Sequence, residues 1–277
     1  IIMIKKAKVL FISQEICPYL EENQISKISR HLPQGILEKG NEVRIFMPRF
    51  GCINERRNQL HEVIRLSGMN MIIDDTDHPL IIKVASIQSA RMQVYFIDNE
   101  EYFQRKLTFH DKKGELFEDN DERSIFFARG VLETVKKLGW APDIIHCHGW
   151  FTSLVPALIK KAYKEDPLFT NSRVVFSAYN NEFSGALRKQ YIKKASMEGL
   201  TVTDLKVAEN PTFLNLNKLA IDYSDGIILG DEEMIPEVLK YAKKSGKPVL
   251  SYHNNNTYVD AYANFYAEVL ENEPVLV

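Results

Sequence analysis

VLFISQEICPYLEENQISKISRHLP, residues 9–33, is an apolar strand, a short polar turn and an amphipathic helix that meets a proline. A β-branched apolar run passing into a 3.6-residue period is the opening of a βα unit. In nucleotide-binding folds that open this way, the turn usually carries glycines, because phosphate oxygens must reach backbone N–H groups at the helix N-terminus. Here the turn reads Glu21, Glu22, Asn23, Gln24. The frame of a nucleotide site is present, and its glycines are not.

The same alternation continues outward. AKVLFIS (7–13) reads as the first strand, QISKISRHLPQGILEKG (24–40) as a helix closing on Lys and Gly40, and EVRIFMP (42–48) as the second strand. Residues 60–98 change texture: HEVIRLS, GMNMIID, PLIIKVASIQS and RMQVYFID are strand-like with polar breaks and no helix between them, which predicts an antiparallel β insertion. From NDERSIFFARGVLETVKKLGW the helical period returns, with Ile125, Ala128, Val131, Leu132, Val135 and Leu138 on one stripe and Asp121 and Glu122 at the positive N-terminal end. PDIIHCH, SRVVFSAYN, DGIILG and KPVLSY follow as strands. FTSLVPALIKKAYK, with Pro156 inside it, LNLNKLAIDYS, EEMIPEVLKYAKKSG and a final Tyr/Phe-rich TYVDAYANFYAEVLENE follow as helices. The pattern predicts an α/β chain built on a single doubly wound parallel sheet, with no linker and no internal repeat.

Bulk composition narrows the function. A chain of 277 residues with 45% apolar content can bury a sizeable core. Its formal net charge of −2 lacks the Lys/Arg excess of a nucleic-acid surface. Cys17, Cys52 and Cys147 are odd in number and far apart, which suggests neither a disulfide framework nor a zinc site and fits the reducing cytoplasm. No apolar run reaches the ~20 residues that span a bilayer, and the N-terminal IIMIKKAKVL shows charges against a strand without a cleavage region. A cytoplasmic protein with no nucleic-acid or membrane partner is expected.

Ligands of open parallel sheets sit beyond the carboxyl ends of the strands. The segments there are SQEICPYLEENQ, MPRFG, HCHGW and SAYNNEFSG. His146 and His148, two residues apart on an extended strand, face the same way and either present two nitrogens to a metal or make structural hydrogen bonds; no third ligand of suitable spacing is visible, so no metal is expected. Trp150 is a platform for a ligand or a cap over the sheet end. Arg49 holds a phosphate or carboxylate, or pairs with an acidic neighbour. Glu21 and Glu22 act as acid and base only within a cleft; adjacent glutamates in a turn are mostly solvated.

VLFISQEICPY, LPQGILEKGNEVRIFMPRFG, VYFIDNEEYFQRKLTFHDKKGELFEDNDERSIFFARGVLETVKKLGWAPDIIHCHGW and IDYSDGIIL, in this order, resemble the N-terminal domain of bacterial glycogen synthases and plant starch synthases over nearly the whole chain. The resemblance implies one Rossmann-like half of a two-domain glycosyltransferase B fold, whose family activity moves glucose from ADP-glucose to an α-1,4-glucan with retention. It also implies where function should lie. The family's Lys-x-Gly-Gly loop falls on Glu21, Asn23 and Gln24, and a nearby aspartate on Lys27. Its His-x-His-Asp-Trp becomes HCHGW, keeping His146, His148 and Trp150 with Gly149 at the acidic position. The strand-end histidine that contacts the transferred sugar corresponds to Tyr179, while Asn180 and Gly185 remain. A lysine exchanged for a glutamate, and two glycines for side chains, remove a diphosphate cradle.

By the same resemblance the family's second nucleotide-binding domain is expected to be absent. Residues 1–277 then form one domain with the β insertion at 60–98 and a C-terminal crossover helix at 257–272. These departures predict a noncatalytic relative without a cofactor or bound ADP-glucose, acting in α-glucan binding or as partner of a full-length synthase. The alternatives are an active glucosyltransferase completed by another chain, and a binding module for an unrelated metabolite built on Glu21, Glu22 and Lys27. Candidate ligand-binding residues are His146, His148, Trp150, Asn180 and Arg49.

Overall fold

The structure is a computed structural model that describes residues 6–272; the first residues of IIMIKKAKVL lie outside them. The strands are β1 (Lys8–Ser13), β2 (Glu42–Pro48), β3 (His61–Glu62), β4 (Met69–Ile73), β5 (Thr76–Ile87), β6 (Met92–Asp98), β7 (Ile144–His148), β8 (Arg173–Ala178), β9 (Gly226–Leu229) and β10 (Val249–Leu250). The helices are α1 (Gln24–Glu38), α2 (Glu100–Phe103), α3 (Asn120–Leu138), α4 (Val155–Ala157), α5 (Tyr191–Ala195), α6 (Phe213–Tyr223), α7 (Pro236–Lys244) and α8 (Tyr258–Glu271). The sheet order is β10-β9-β8-β7-β1-β2-β6-β5-β3, with β4 paired to β5. From β6 through β10 every neighbouring pair is parallel. This is the doubly wound arrangement, and its order reverses between β1 and β7.

Burial explains which strands are parallel. β1 and β7 are almost continuously buried apolar runs, as strands covered on both faces must be. β4 and β5 alternate buried and exposed positions and pair antiparallel. Within residues 60–98, β6 differs: its last residues are buried without alternation, and it pairs parallel with β2. The antiparallel character therefore belongs to β3–β5, and β6 is a member of the main sheet.

α3 carries Asp121 and Glu122 in its first turn and Lys136 and Lys137 in its last, and ends at Gly139 with φ 60°. The segment after β7 is less regular than its sequence suggests. Residues Trp150–Thr152 form a 3-10 turn, α4 follows with Pro156 at its start, and Leu158–Ala162 shift to π hydrogen bonding. Pro156 has no N–H to give, so one continuous α-helical ladder cannot form. α7 likewise starts only at Pro236, later than the apolar period from Glu232 suggests.

Right-handed crossovers that move in opposite directions along the sheet lie on opposite faces. α1, between β1 and β2, and α3, between β6 and β7, therefore cover different faces. α8 packs on α1 and on the β7–β9 surface. A Cβ on Gly35 of α1 would come 2.4 Å from Val259, and one on Gly226 of β9 within 2.8 Å of Val269 and 2.9 Å of Phe265. Lys39 and Asp260 form an ion pair across the α1–α8 contact. The helix read from TYVDAYANFYAEVLENE thus covers half of one sheet face.

Candidate functional site

The switch point places the ends of β1 and β7 side by side, with Ser13 opposite His148 and His148 opposite Ser177. α1 begins above this crevice. Asn23 is its N-cap: Oδ1 accepts from the Ser26 N–H at 2.8 Å, and the Asn23 N–H donates to Ser26 Oγ at 2.8 Å. Asn23 Nδ2 donates to Glu15 Oε2 at 2.8 Å. Burial raises the Glu15 carboxyl above its usual range, and the Asn23 bond opposes this. The helix N-terminus thus has a capping side chain on one amide and a carboxylate hydrogen-bonded to that cap. A phosphate cradle needs bare amides and a cation; here Asn23 occupies the Ser26 amide, and no lysine or arginine lines the adjoining cavity.

Glu21 and Glu22 are exposed. Glu22 pairs with Lys27 at 3.3 Å. They do not share an enclosure: Glu21 lines a hollow of about 610 Å³ with Glu15 and Cys52, whereas Glu22 and Lys27 line a groove of about 780 Å³ between α1 and α8. A metabolite pocket holding both acids with Lys27 does not form.

His146 and His148 project from β7 with ring centroids 3.9 Å apart, as the two-residue spacing predicts. Both are fully buried. His146 Nδ1 is hydrogen-bonded to the Tyr266 hydroxyl at 2.6 Å and Nε2 to Ser177 Oγ at 2.7 Å. His148 Nδ1 is bonded to the Tyr179 hydroxyl at 2.8 Å, and its Nε2 is buried without a partner. Burial, and then the neighbouring His148, hold His146 well below the ordinary imidazole value; burial alone lowers His148 to about 3. Both rings are neutral parts of the core. Among the described residues, no three His, Cys, Asp or Glu side chains gather as a metal site.

Tyr179, at the position the resemblance gives to a sugar-contacting histidine, is only 1% exposed. Its ring packs so closely on Gly230 that an added Cβ there would lie 2.3 Å away. Trp150 is also buried, in edge contact with Phe183 at 4.7 Å, and caps the sheet end at the wall of a small cavity. Gly149, at the family's acidic position, has φ 83° and ψ 166°, a conformation that suits glycine. A Cβ there would come 2.2 Å from Gln14 Oε1, which accepts from the Phe151 N–H at 3.2 Å. A side chain at 149 would therefore displace Gln14 and take a positive φ that glycine adopts without strain.

Asn180 is committed to a loop. Its N–H donates to Asp231 Oδ2 at 2.6 Å, its Oδ1 accepts from the Ile235 N–H at 3.0 Å, and its Nδ2 donates to the Glu233 carbonyl. Arg49 is paired with Glu55 and stands 3.5 Å from Asp98, so its guanidinium is already engaged by carboxylates.

What remains open is a cavity of about 330 Å³ lined by Gln14, Glu15, Asn23, Gln24, Thr108, His110, Asn180, Asn181, Glu182 and Asp231, with Ile25, Phe109, Trp150 and Tyr179 also in its wall and no lysine or arginine. Its chemistry is that of carboxylates and amides, which hydrogen-bond to hydroxyl groups and repel anions. Sequence reasoning missed Gln14 and Arg123. Arg123 is fully buried in α3 and donates to the Tyr102 carbonyl at 2.7 Å and the Thr108 carbonyl at 2.8 Å, fixing the loop beside the cavity. Its one visible signal was a charge within an apolar helix.

The starch synthase catalytic domain family matches residues 8–251. The chain is 38% identical over 208 residues to the glycogen synthase of Chlorobium luteolum, covering 75% of this chain and 42% of that protein. It is 37% identical over 220 residues to that of Chlorobaculum tepidum, covering 79% and 44%. It thus spans less than half the length of these curated relatives. The catalytic domain of starch synthase IV from Arabidopsis thaliana, bound to ADP and acarbose, superimposes with a TM-score of 0.73 at 19% identity, over 91% of this chain and 53% of that one. That likeness is one of fold. No helix among the described residues is long and apolar enough to cross a membrane. Match, identity and sheet order agree, and the chain belongs to the starch synthase catalytic domain family.

Proposed function

We propose that this chain is a noncatalytic member of the family that binds α-glucan. The observation that carries the proposal is the N-terminus of α1, where Asn23 and Ser26 cap the helix and Asn23 also holds the Glu15 carboxylate. A diphosphate brought within 4 Å of that carboxylate meets a repulsion of about 4 kcal/mol per charge pair near a protein surface. That is roughly a thousandfold in affinity before any lost contact is counted. No lysine or arginine lines the cavity to offset it; Lys106 lines the adjoining hollow that shares Glu15 and Asn23.

The Arabidopsis domain is bound to both ADP and acarbose, an oligosaccharide mimic. The cavity here suits the hydroxyl-rich ligand and not the nucleotide. Docking on a full-length synthase through an apolar face has less support. The exposed large apolar residues are Ile64, Ile72, Leu107 and Val202, dispersed along the described chain.

Electrophoresis of the purified protein through native gels with and without embedded glycogen tests the glucan reading. Retardation in glycogen, relative to a noninteracting control, is the expected result. Unchanged migration would remove α-glucan as the ligand.

A further inference from the structure

α1 begins beside the end of β1, yet its first side chain reaches the end of β9. β7 and β8 lie between those strands, so at about 4.8 Å per strand the contact spans roughly 14 Å of sheet edge. Gln24 Nε2 donates to the Gly230 carbonyl at 3.0 Å. The Gly230 N–H donates to the Ala178 carbonyl at 2.8 Å. Beneath this bridge lie Tyr179 and His148, bonded to each other and shut from solvent although both stand at strand ends. Strand ends at a switch point are where doubly wound sheets normally lie open.

We propose that Gln24 is a latch across the crevice, holding the N-terminus of α1 to the end of β9 and closing the space above β7 and β8. The inference goes beyond the noncatalytic reading and stands on these contacts alone. A single neutral, partly exposed hydrogen bond shifts an opening equilibrium about fivefold, enough to hold the closed form and weak enough to be displaced. A hydroxyl or ammonium group entering the crevice replaces Gln24 at the Gly230 carbonyl without leaving that acceptor unpaired. A phosphate monoester dianion, whose phosphoryl oxygens only accept, cannot. Opening releases the Gly230 carbonyl, while Asn180 keeps the loop after β9 tied to the end of β8 through Asp231 and Ile235.

Hydrogen exchange on the full chain tests the latch by comparing the natural protein with Gln24→Ala and Gln24→Glu. The glutamate keeps the length of the side chain, but its carboxylate cannot donate to a carbonyl. Both variants are expected to speed exchange of the Gly230 amide, which donates to the Ala178 carbonyl, about fivefold while protection of α3 is unchanged. Unchanged protection of Gly230 in either variant overturns the latch. Loss of protection shared by α3 also overturns it, because Gln24 would then act on global stability. Neither result bears on ADP-glucose, whose binding to the natural protein is measured separately.

Discussion

Acidification from pH 7 to pH 4.5 is expected to remove about 3 kcal/mol of folding stability through His148 alone, with His146 acting in the same direction. Both imidazoles are buried and neutral, and burial lowers the value of His148 to about 3. The unfolded chain takes up a proton at the ordinary histidine value near 6.5. Their stabilisation is therefore complete above about pH 6.5 and falls by about 1.4 kcal/mol per pH unit below it. For His148 the loss is complete only near pH 3. Glu15 and Asp98, raised by burial, bind protons more readily when folded and act against this trend. Urea unfolding at a series of pH values gives the slope, and the ring resonances of both histidines assign it. They should stay in neutral positions from pH 7.5 to pH 5. A midpoint near 6.5 for either would contradict the buried pair.

Tyr266→Ala is expected to cost about 4 kcal/mol, the usual range for removing a buried aromatic side chain. Tyr266 is 4% exposed, and its α8 supplies much of the cover over β7–β9. Its hydroxyl satisfies His146 Nδ1. Tyr266→Phe keeps the packing and removes only that bond, so about 1–3 kcal/mol is expected from the unpaired nitrogen. The two variants separate what α8 contributes by packing from what it contributes by pairing the β7 histidine. Urea midpoints within 0.5 kcal/mol of the natural protein for Tyr266→Ala would mean that α8 does not cover the sheet; that threshold is about the scatter of ordinary surface substitutions.

The parts of this fold that local chemistry specifies were readable in the sequence. α3 follows from one apolar stripe with acids at its start and Gly139 at its end. The changed turn at Glu21, Asn23 and Gln24 is visible as missing glycines. Pairings that depend on distant chain segments were not readable. Gln24 meets Gly230, Gln14 fills the space over Gly149, and Tyr179 lies against Gly230. No period or propensity encodes such contacts. For the same reason Trp150 read as platform or cap, and Arg49 as phosphate ligand or ion-pair partner; burial and the Glu55 contact bear on these readings. Pro156 was visible, but whether the helix would kink, stop or change hydrogen-bond register depended on packing around it.

The proposal of a noncatalytic chain rests on the capped N-terminus of α1 and the Glu15 carboxylate bonded to that cap. Isothermal calorimetry of the full chain with ADP-glucose, run beside an assay for transfer of labelled glucose to glycogen, tests it most directly. No binding up to about 1 mM, an affinity worth only some 4 kcal/mol, and no transfer are predicted. Saturable binding accompanied by transfer from the chain alone would contradict the account.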